Sequence, residues 1–416
     1  MKATYFSSPE LGYHSDLGAG PVEWRGNLDL ERTEAGWLPH RLPRWTRDQY
    51  PPDSLQDVVL EPSGVRLALR TAADTLELSL LATQGVWRGD VPPARVEGFD
   101  LVVDGDVVAA GVTEKPGTIV VFDETGVLSR TEAAPGTVRF SGLQRRPGEH
   151  EIEIWLPHHT RVEVIGLRAD APLVPPTPAP GPVWLHHGSS ISHCREALRP
   201  TGTWPAVAAR LAGLDLLNLG FSGQAQLDGF TARAIRDTPA DLISLKLGIN
   251  VVNGDSMRLR AFVPAVHAFL DTIREGHPRT PILLISPIHS PSVEDRPGPS
   301  LVDPAAAKLW FITHGTPSEV DEGRLSLRLI RDTLAAVAER RGVSDPNLHF
   351  LAGPALFGPD DIDHLPDNLH PDPVGYQLMG ERFARLALAP GAAFRAPTEV
   401  VDTASPSGVD GAMDGC

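Results

Sequence analysis

Three residues set the chemistry this chain could do. Ser190 lies in Gly188-Ser189-Ser190-Ile191-Ser192, between a short apolar run and a helical one, and far downstream Asp367-Asn368-Leu369-His370 places a carboxylate three residues before an imidazole. A serine hydroxyl is a poor nucleophile until a base takes its proton, and the base needs a carboxylate to fix its tautomer and stabilise the imidazolium. Ser190, His370 and Asp367 fill those roles. The Asp-x-x-His spacing lets both side chains project from one loop into one site, and Asp372, just before Pro373, is placed to cap a helix running to Arg385.

Acyl transfer also requires donors aimed at the developing oxyanion. Two further segments offer them, Asn218-Leu219-Gly220-Phe221-Ser222-Gly223 and Leu247-Gly248-Ile249-Asn250, each after its own apolar run. The candidates are the Ser190 N–H, the Gly223 N–H and Asn250 Nδ2. Gly223 has no Cβ to keep the backbone from the reacting carbonyl, and Asn250 supplies a neutral donor.

These pieces need a frame to hold them. From Val183 onward, strand-like runs (Val183 to His187, Leu214 to Leu219, Leu242 to Leu247, Ile282 to Ser286, Leu348 to Leu351) alternate with helical ones, the clearest marked by Leu327, Ile330, Leu334 and Val337. That order predicts an α/β fold: a mostly parallel sheet flanked by helices, with reactive loops at the strand C-terminal ends. Earlier, the period is two. Val65, Leu67 and Leu69 alternate with Arg66 and Arg70, Leu76, Leu78 and Leu80 with Glu77 and Ser79, and Asp104-Gly105 sits where a hairpin would turn. An all-β sandwich or jelly-roll domain is expected there. The expected layout is residues 1–170 as the β-sandwich, 171–182 as a proline-rich extended linker, 183–390 as the catalytic α/β domain, and 391–416 as a disordered tail rich in Ala, Pro, Gly, Ser and Asp.

Composition narrows the partners. A net charge of −16, with no basic cluster set against it, disfavours nucleic acid and anionic membrane surfaces. No apolar run approaches about 18 residues, and residues 1–20 lack the basic-then-apolar layout of a secretion signal, so a cytoplasmic protein is expected. Cys194 and Cys416 are the only cysteines; no disulfide framework follows, and Cys194 reads as a small buried side chain.

Here the residues meet a family. Residues from about Val183 to Leu388 resemble the SGNH/GDSL hydrolases, whose blocks carry serine, glycine, asparagine and histidine in this order: Ser190, Gly223, Asn250, and Asp367 with His370. The family's first block reads Gly-Asp-Ser, whereas Ser189 stands here in place of the aspartate; that alters how the nucleophile turn is held, not the triad. A subgroup that includes carbohydrate deacetylases pairs the hydrolase with an N-terminal β-sandwich, and is similar in the first block and in Leu219 to Gly223. The resemblance implies a serine esterase acting through an acyl-enzyme on short-acyl, notably acetyl, esters of a carbohydrate or small metabolite, with no cofactor. An acyltransferase using the same triad and a non-catalytic glycan-binding protein are the alternatives.

Other residues read structurally. His186, His187, His193 and Cys194 crowd the nucleophile, but strand alternation sends the first two to opposite faces, so no metal site is expected. Asp255, in Gly254-Asp255-Ser256, reads as a helix N-cap. His289 reads as an exposed loop residue, with a place lining the pocket as the alternative, and Lys246 as a strand neighbour; Trp24 reads as core, and Trp24, Arg25 and Arg41-Leu42-Pro43 could otherwise form part of an interdomain contact or a sugar platform.

Overall fold

The computed structural model describes residues 11–395 apart from 16, 52–54, 124–125, 144–147 and 180. Five parallel strands, β1 (Val183–Gly188), β2 (Asp215–Gly220), β3 (Leu242–Lys246), β4 (Ile282–Ile285) and β5 (Leu348–Leu351), form one sheet in the order β2-β1-β3-β4-β5. In such an open sheet the chain departs in opposite directions from β1 and β3, and the crevice outside their C-terminal ends is the natural ligand site.

Each face of the sheet buries its own helices. Trp184, Leu242, Leu283 and Ile285 pack under helices Trp204–Ala212 and Pro373–Ala387, through Trp204, Tyr376, Met379 and Phe383. Leu185, Ile243, Leu245, Ile282 and Leu284 face helices Gly229–Asp237, Leu259–Gly276 and Leu327–Gly342. Leu327, Ile330, Leu334 and Val337 are all buried on the last of these, because that apolar stripe repeats at the helical period.

The preceding region folds as two packed sheets of eight and six strands, largely antiparallel, with Thr75–Trp87 and Thr118–Asp123 as a parallel pair. Their shared core holds Leu67 and Leu69 from one sheet, with Val65 just before their strand, against Leu76, Leu78 and Leu80 from the other. Asp104 (φ 49°) and Gly105 (φ 89°) turn the hairpin between Phe99–Val103 and Asp106–Gly111. Trp24 packs against the same core, its indole N–H donating to Leu17 O at 2.8 Å.

The proline-rich stretch is not a detached spacer. Leu173–Val174 pairs with Arg66–Thr71 as a short edge strand, and Thr177 O accepts from Arg25 Nη2 at 2.9 Å. Prolines at an edge withhold no donor the sheet needs, so extended backbone can still lie along it. Beyond Pro390, Phe394 is buried against Phe383 and Arg395 donates to Leu388 O at 2.7 Å. The remainder of the tail expected to be disordered, residues 396–416, lies outside the described residues, as does Cys416.

The sandwich and the α/β sheet share buried contacts. Arg41, fully buried, donates to Asn218 O (3.3 Å), Gly220 O and Val58 O (2.6 Å) and lies over the Phe221 ring. Arg66 binds Asp215 and Leu216 O (3.2 Å), and Asp100 accepts from Thr201 Oγ1 at 2.5 Å. A buried guanidinium needs acceptors on most of its N–H groups, and Arg41 finds them on two carbonyls of the strand that leads to the Gly223 loop and on Val58 O.

Candidate active site

β1 ends at Gly188, and the chain turns at once into a one-turn helix, Ser190–His193. Ser189 caps it: its Oγ accepts from Ile191 N–H at 3.3 Å, while its carbonyl accepts from the N–H groups of Ser192 and His193. Serine is as good an N-cap as aspartate, so the turn keeps its cap without a charge there. The turn presses on β2, where a Cβ at Gly220 would lie 2.4 Å from the Ser192 carbonyl carbon; only glycine fits.

The loop after β5 brings the histidine back to this turn. His370 Nε2 stands 2.9 Å from Ser190 Oγ, and His370 Nδ1 stands 2.7 Å from Asp367 Oδ2. Asp367 Oδ1 accepts from the backbone N–H of Leu369 (2.9 Å) and of His370 (2.7 Å). This explains the three-residue spacing: one carboxylate oxygen folds the loop as an Asx turn and the other holds the imidazole. Asn368, at φ 71°, completes the turn, its Nδ2 donating to Phe311 O at 2.9 Å. Asp372 caps the following helix, accepting from Gly375 N–H at 2.8 Å.

Electrostatics divide the site. Burial alone would lower the His370 pKa, but Glu196 and then Asp367 outweigh it, and the imidazole ends above its ordinary value. Burial would raise Asp367, yet its hydrogen bonds to His370 and to backbone N–H hold it below the usual carboxylate range. The pair is built to accept a proton on Nε2 and to carry the positive charge that follows.

The proposed oxyanion donors sit on the loops beside Ser190. Gly188 pairs with Gly220 and His187 with Leu245, so the segments after β2 and β3 flank Ser190. Gly223 lies in the first, at φ 74°. Asn250 lies in the second, nearly buried, and its Oδ1 accepts from Ala225 N–H at 3.0 Å. That bond fixes the amide so that its NH2 points away from Ala225, and ties the Gly223 loop to the short helix Ile249–Asn253 that carries Asn250.

The crowd of histidines by the nucleophile does structural work. His186 lies between Ser192 Oγ and Ser244 Oγ, both at 2.7 Å, on the Trp204 face; His187 bonds Leu219 O at 2.8 Å on the Phe269 face. Burial lowers both, His187 to about 4. Cys194 is buried, its thiol donating to Ile191 O at 3.2 Å. Asp255 does not cap the helix after it: Arg258 holds the N-cap position, and Asp255, at φ 46°, pairs with Arg324 at 2.6 Å. His289 pairs with Glu294 at 3.1 Å. Lys246 is more than a strand neighbour, being fully buried with no hydrogen-bond partner for Nζ among the described residues.

Three residues around His370, two in contact with it and one behind them, carry no sequence signal. Phe311, on a hairpin of Ser300–Val302 and Phe311–Thr313, sets its ring edge-on at 5.5 Å and donates its N–H to Asp367 O at 2.9 Å. Glu196 is the second, and Tyr376, whose hydroxyl donates to Glu196 Oε2 at 2.7 Å, stands behind it. A separate cavity of about 490 Å³ lies between the sandwich and the start of β2, lined by Arg25, Arg66, Trp155 and Asp215. None of the triad lines it. Arg66 pairs with Glu153 and Asp215 there, so it reads as a joint between domains rather than the reaction centre.

Comparison with known proteins agrees with this architecture. Residues 187–378 match the family described as GDSL-like lipase/acylhydrolase. A salicylyl-acyltransferase from a tetracycline biosynthetic pathway is 29% identical, with a TM-score of 0.71 over 88% of this chain and 93% of that one. A protein of Bacteroides ovatus described as a GDSL-like lipase is 19% identical, with a TM-score of 0.62 over 87% and 94%. An active-site mutant of a family two carbohydrate esterase from Clostridium thermocellum, 14% identical, shares the fold with a TM-score of 0.56 over 88% and 96%. No curated protein sequence matches the chain significantly.

Proposed function

We propose that this chain, whose residues 187–378 match the GDSL-like lipase/acylhydrolase family, is a serine esterase. Its substrates would be short-acyl esters, acetyl esters first, of a carbohydrate or small metabolite. The observation that carries the reading is the unbroken relay from Asp367 Oδ2 through His370 to Ser190 Oγ, with hydrogen-bond distances of 2.7 and 2.9 Å.

In this mechanism the Ser190 hydroxyl gives its proton to His370 Nε2 as Oγ bonds to the ester carbonyl carbon. Negative charge moves to the carbonyl oxygen, where the N–H groups of Ser190 and Gly223 and the Asn250 amide receive it. His370 then returns the proton to the leaving alcohol oxygen, leaving an acyl-enzyme. Water, deprotonated by the same nitrogen, attacks in turn and releases the acid. The two-domain likeness to a carbohydrate esterase suggests a sugar ester as the first substrate to test, while the substrate-binding loops rather than the fold set that choice.

Hydrolysis of p-nitrophenyl acetate, butyrate and octanoate by wild type and Ser190→Ala tests the reading, with folding checked by circular dichroism. Serine-dependent turnover that falls with chain length is expected. Equal turnover in a folded Ser190→Ala protein would overturn the assignment of the nucleophile, and preference for octanoate would overturn the short-acyl specificity.

One observation favours a second reading. The salicylyl-acyltransferase shares 29% of its residues with this chain over nearly its whole length, and an acyl-enzyme can pass its group to an alcohol instead of water. Product analysis with competing alcohol and amine acceptors separates the two outcomes. Release of free acid against every acceptor would dispose of the transferase.

A further inference from the structure

The esterase mechanism uses one carboxylate on His370, yet two face it. Glu196 lies just past the one-turn helix that carries Ser190. Its Oε1 stands 3.7 Å from His370 Nδ1, the nitrogen whose proton Asp367 accepts. Its Oε2 accepts a 2.7 Å hydrogen bond from the Tyr376 hydroxyl, and Tyr376 is fully buried in the helix that follows the catalytic loop. At 3.7 Å Glu196 is too far to share the Nδ1 proton, but near enough for its charge to favour an imidazolium.

The surroundings leave Glu196 to this task. Its neighbour Arg195, which would otherwise neutralise it, is engaged by Glu61 through Nε (2.9 Å) and Nη2 (2.5 Å). The charges that face His370 are therefore Asp367 from its own loop, Glu196 from the nucleophile segment and, opposing them, Arg195. Cys194 and Tyr376, which flank Glu196, are kept neutral, burial raising both far above their ordinary values.

We propose that Glu196 is a second carboxylate of the catalytic histidine: a positioning residue, anchored by Tyr376, that stabilises positive charge on His370 while Ser190 gives up its proton. Glu196 takes no proton itself; the only transfer is from Ser190 Oγ to His370 Nε2. The inference rests on the esterase reading of the same site. A plainer role, in which Glu196 merely satisfies the buried tyrosine hydroxyl, predicts no effect of its charge.

Glu196→Gln separates the two, because the amide oxygen still accepts from Tyr376 while the charge is gone. The imidazole of His370 is titrated by NMR, which needs no turnover, and the pH dependence of kcat/KM for p-nitrophenyl acetate is measured alongside. Both midpoints are expected to move to lower pH in Glu196→Gln, and less far in the same direction in Tyr376→Phe. In an Asp367→Ala background, where Glu196 is the remaining anion on Nδ1, adding Glu196→Gln is expected to lower kcat/KM about tenfold more than it does in wild type. Unmoved NMR midpoints in both folded single variants would overturn the proposal. Missing serine-dependent turnover would instead overturn the esterase reading, and the NMR midpoint would still decide what Glu196 does to His370.

Discussion

Two serine–histidine pairs lie within a few residues of each other, and by distance they are nearly alike. Ser190 Oγ is 2.9 Å from His370 Nε2, and Ser192 Oγ is 2.7 Å from His186 Nε2. Their surroundings differ. His370 has a carboxylate on its other nitrogen and a half-buried serine before it, whereas His186 has the Ser244 hydroxyl on its other nitrogen and is sealed beneath Trp184 and Trp204. The first imidazole is held above its ordinary pKa, the second well below. A hydrogen-bonded pair becomes a nucleophile and base only when the base can hold positive charge and the serine can meet a substrate; otherwise it is a satisfied buried hydroxyl.

The largest test of this contrast is kinetic. His370→Ala is expected to lower kcat by about 10⁴-fold or more, the scale seen when a triad base is lost, while Ser192→Ala keeps turnover within a few-fold. A similar loss in both variants would erase the distinction between the pairs. Next, Asn250→Ala is expected to lower kcat by about 10²–10³ with little change in KM, as loss of an oxyanion donor does; a pure KM effect would place Asn250 in substrate binding instead.

Stability separates the pairs in the other direction. The buried side holds Lys246, whose amine burial brings down to about 8, against an opposing effect of Cys194. A lowered lysine pKa destabilises the fold fully below the folded value, and the penalty fades as pH rises from about 8 toward 10.5. Lys246→Met should therefore stabilise the protein at neutral pH by on the order of 3 kcal/mol, with the gain shrinking at alkaline pH in chemical denaturation. No gain at neutral pH would mean that Nζ is better satisfied than its position implies. Ser192→Ala should destabilise by about 1–3 kcal/mol, since it leaves a buried imidazole nitrogen unpartnered.

The smallest effect is a displacement along the pH axis. His370 must be neutral to act as base, so turnover should rise through a midpoint above the ordinary 6.5. Its raised pKa has the opposite consequence for stability: the contribution is complete below 6.5 and is lost as pH rises through the folded value. An acid limb at or below 6.5 would show that the carboxylates do not outweigh the burial of this histidine.

Much of the α/β half was legible because its signals are local. A five-fold alternation of apolar runs and helical stripes implies a parallel sheet whichever residues fill it, and Leu327, Ile330, Leu334 and Val337 mark their helix by period alone. Asp367 and His370 were legible for the same reason, since an Asx turn links them through their own backbone. The Asp255 cap failed because a capping residue is recognised only relative to where the helix begins, and that start, at Leu259, is set by the strand-like bridge of Arg258 to Arg324 and the ion pair of Asp255 with Arg324.

The sequence by itself determined the types and order of the candidate groups: a serine after one strand, the glycine and asparagine proposed as donors after the next two, and a carboxylate with its histidine on a single loop. Tertiary structure alone decided which groups surround them. Glu196 and Phe311 reach His370 from separate segments, Tyr376 anchors Glu196 from a third, and Arg41 crosses from the sandwich to hold the carbonyls of β2. Period and spacing report on neighbours within a few residues, whereas the electric field on an imidazole sums over whatever the folded chain brings within a few ångströms.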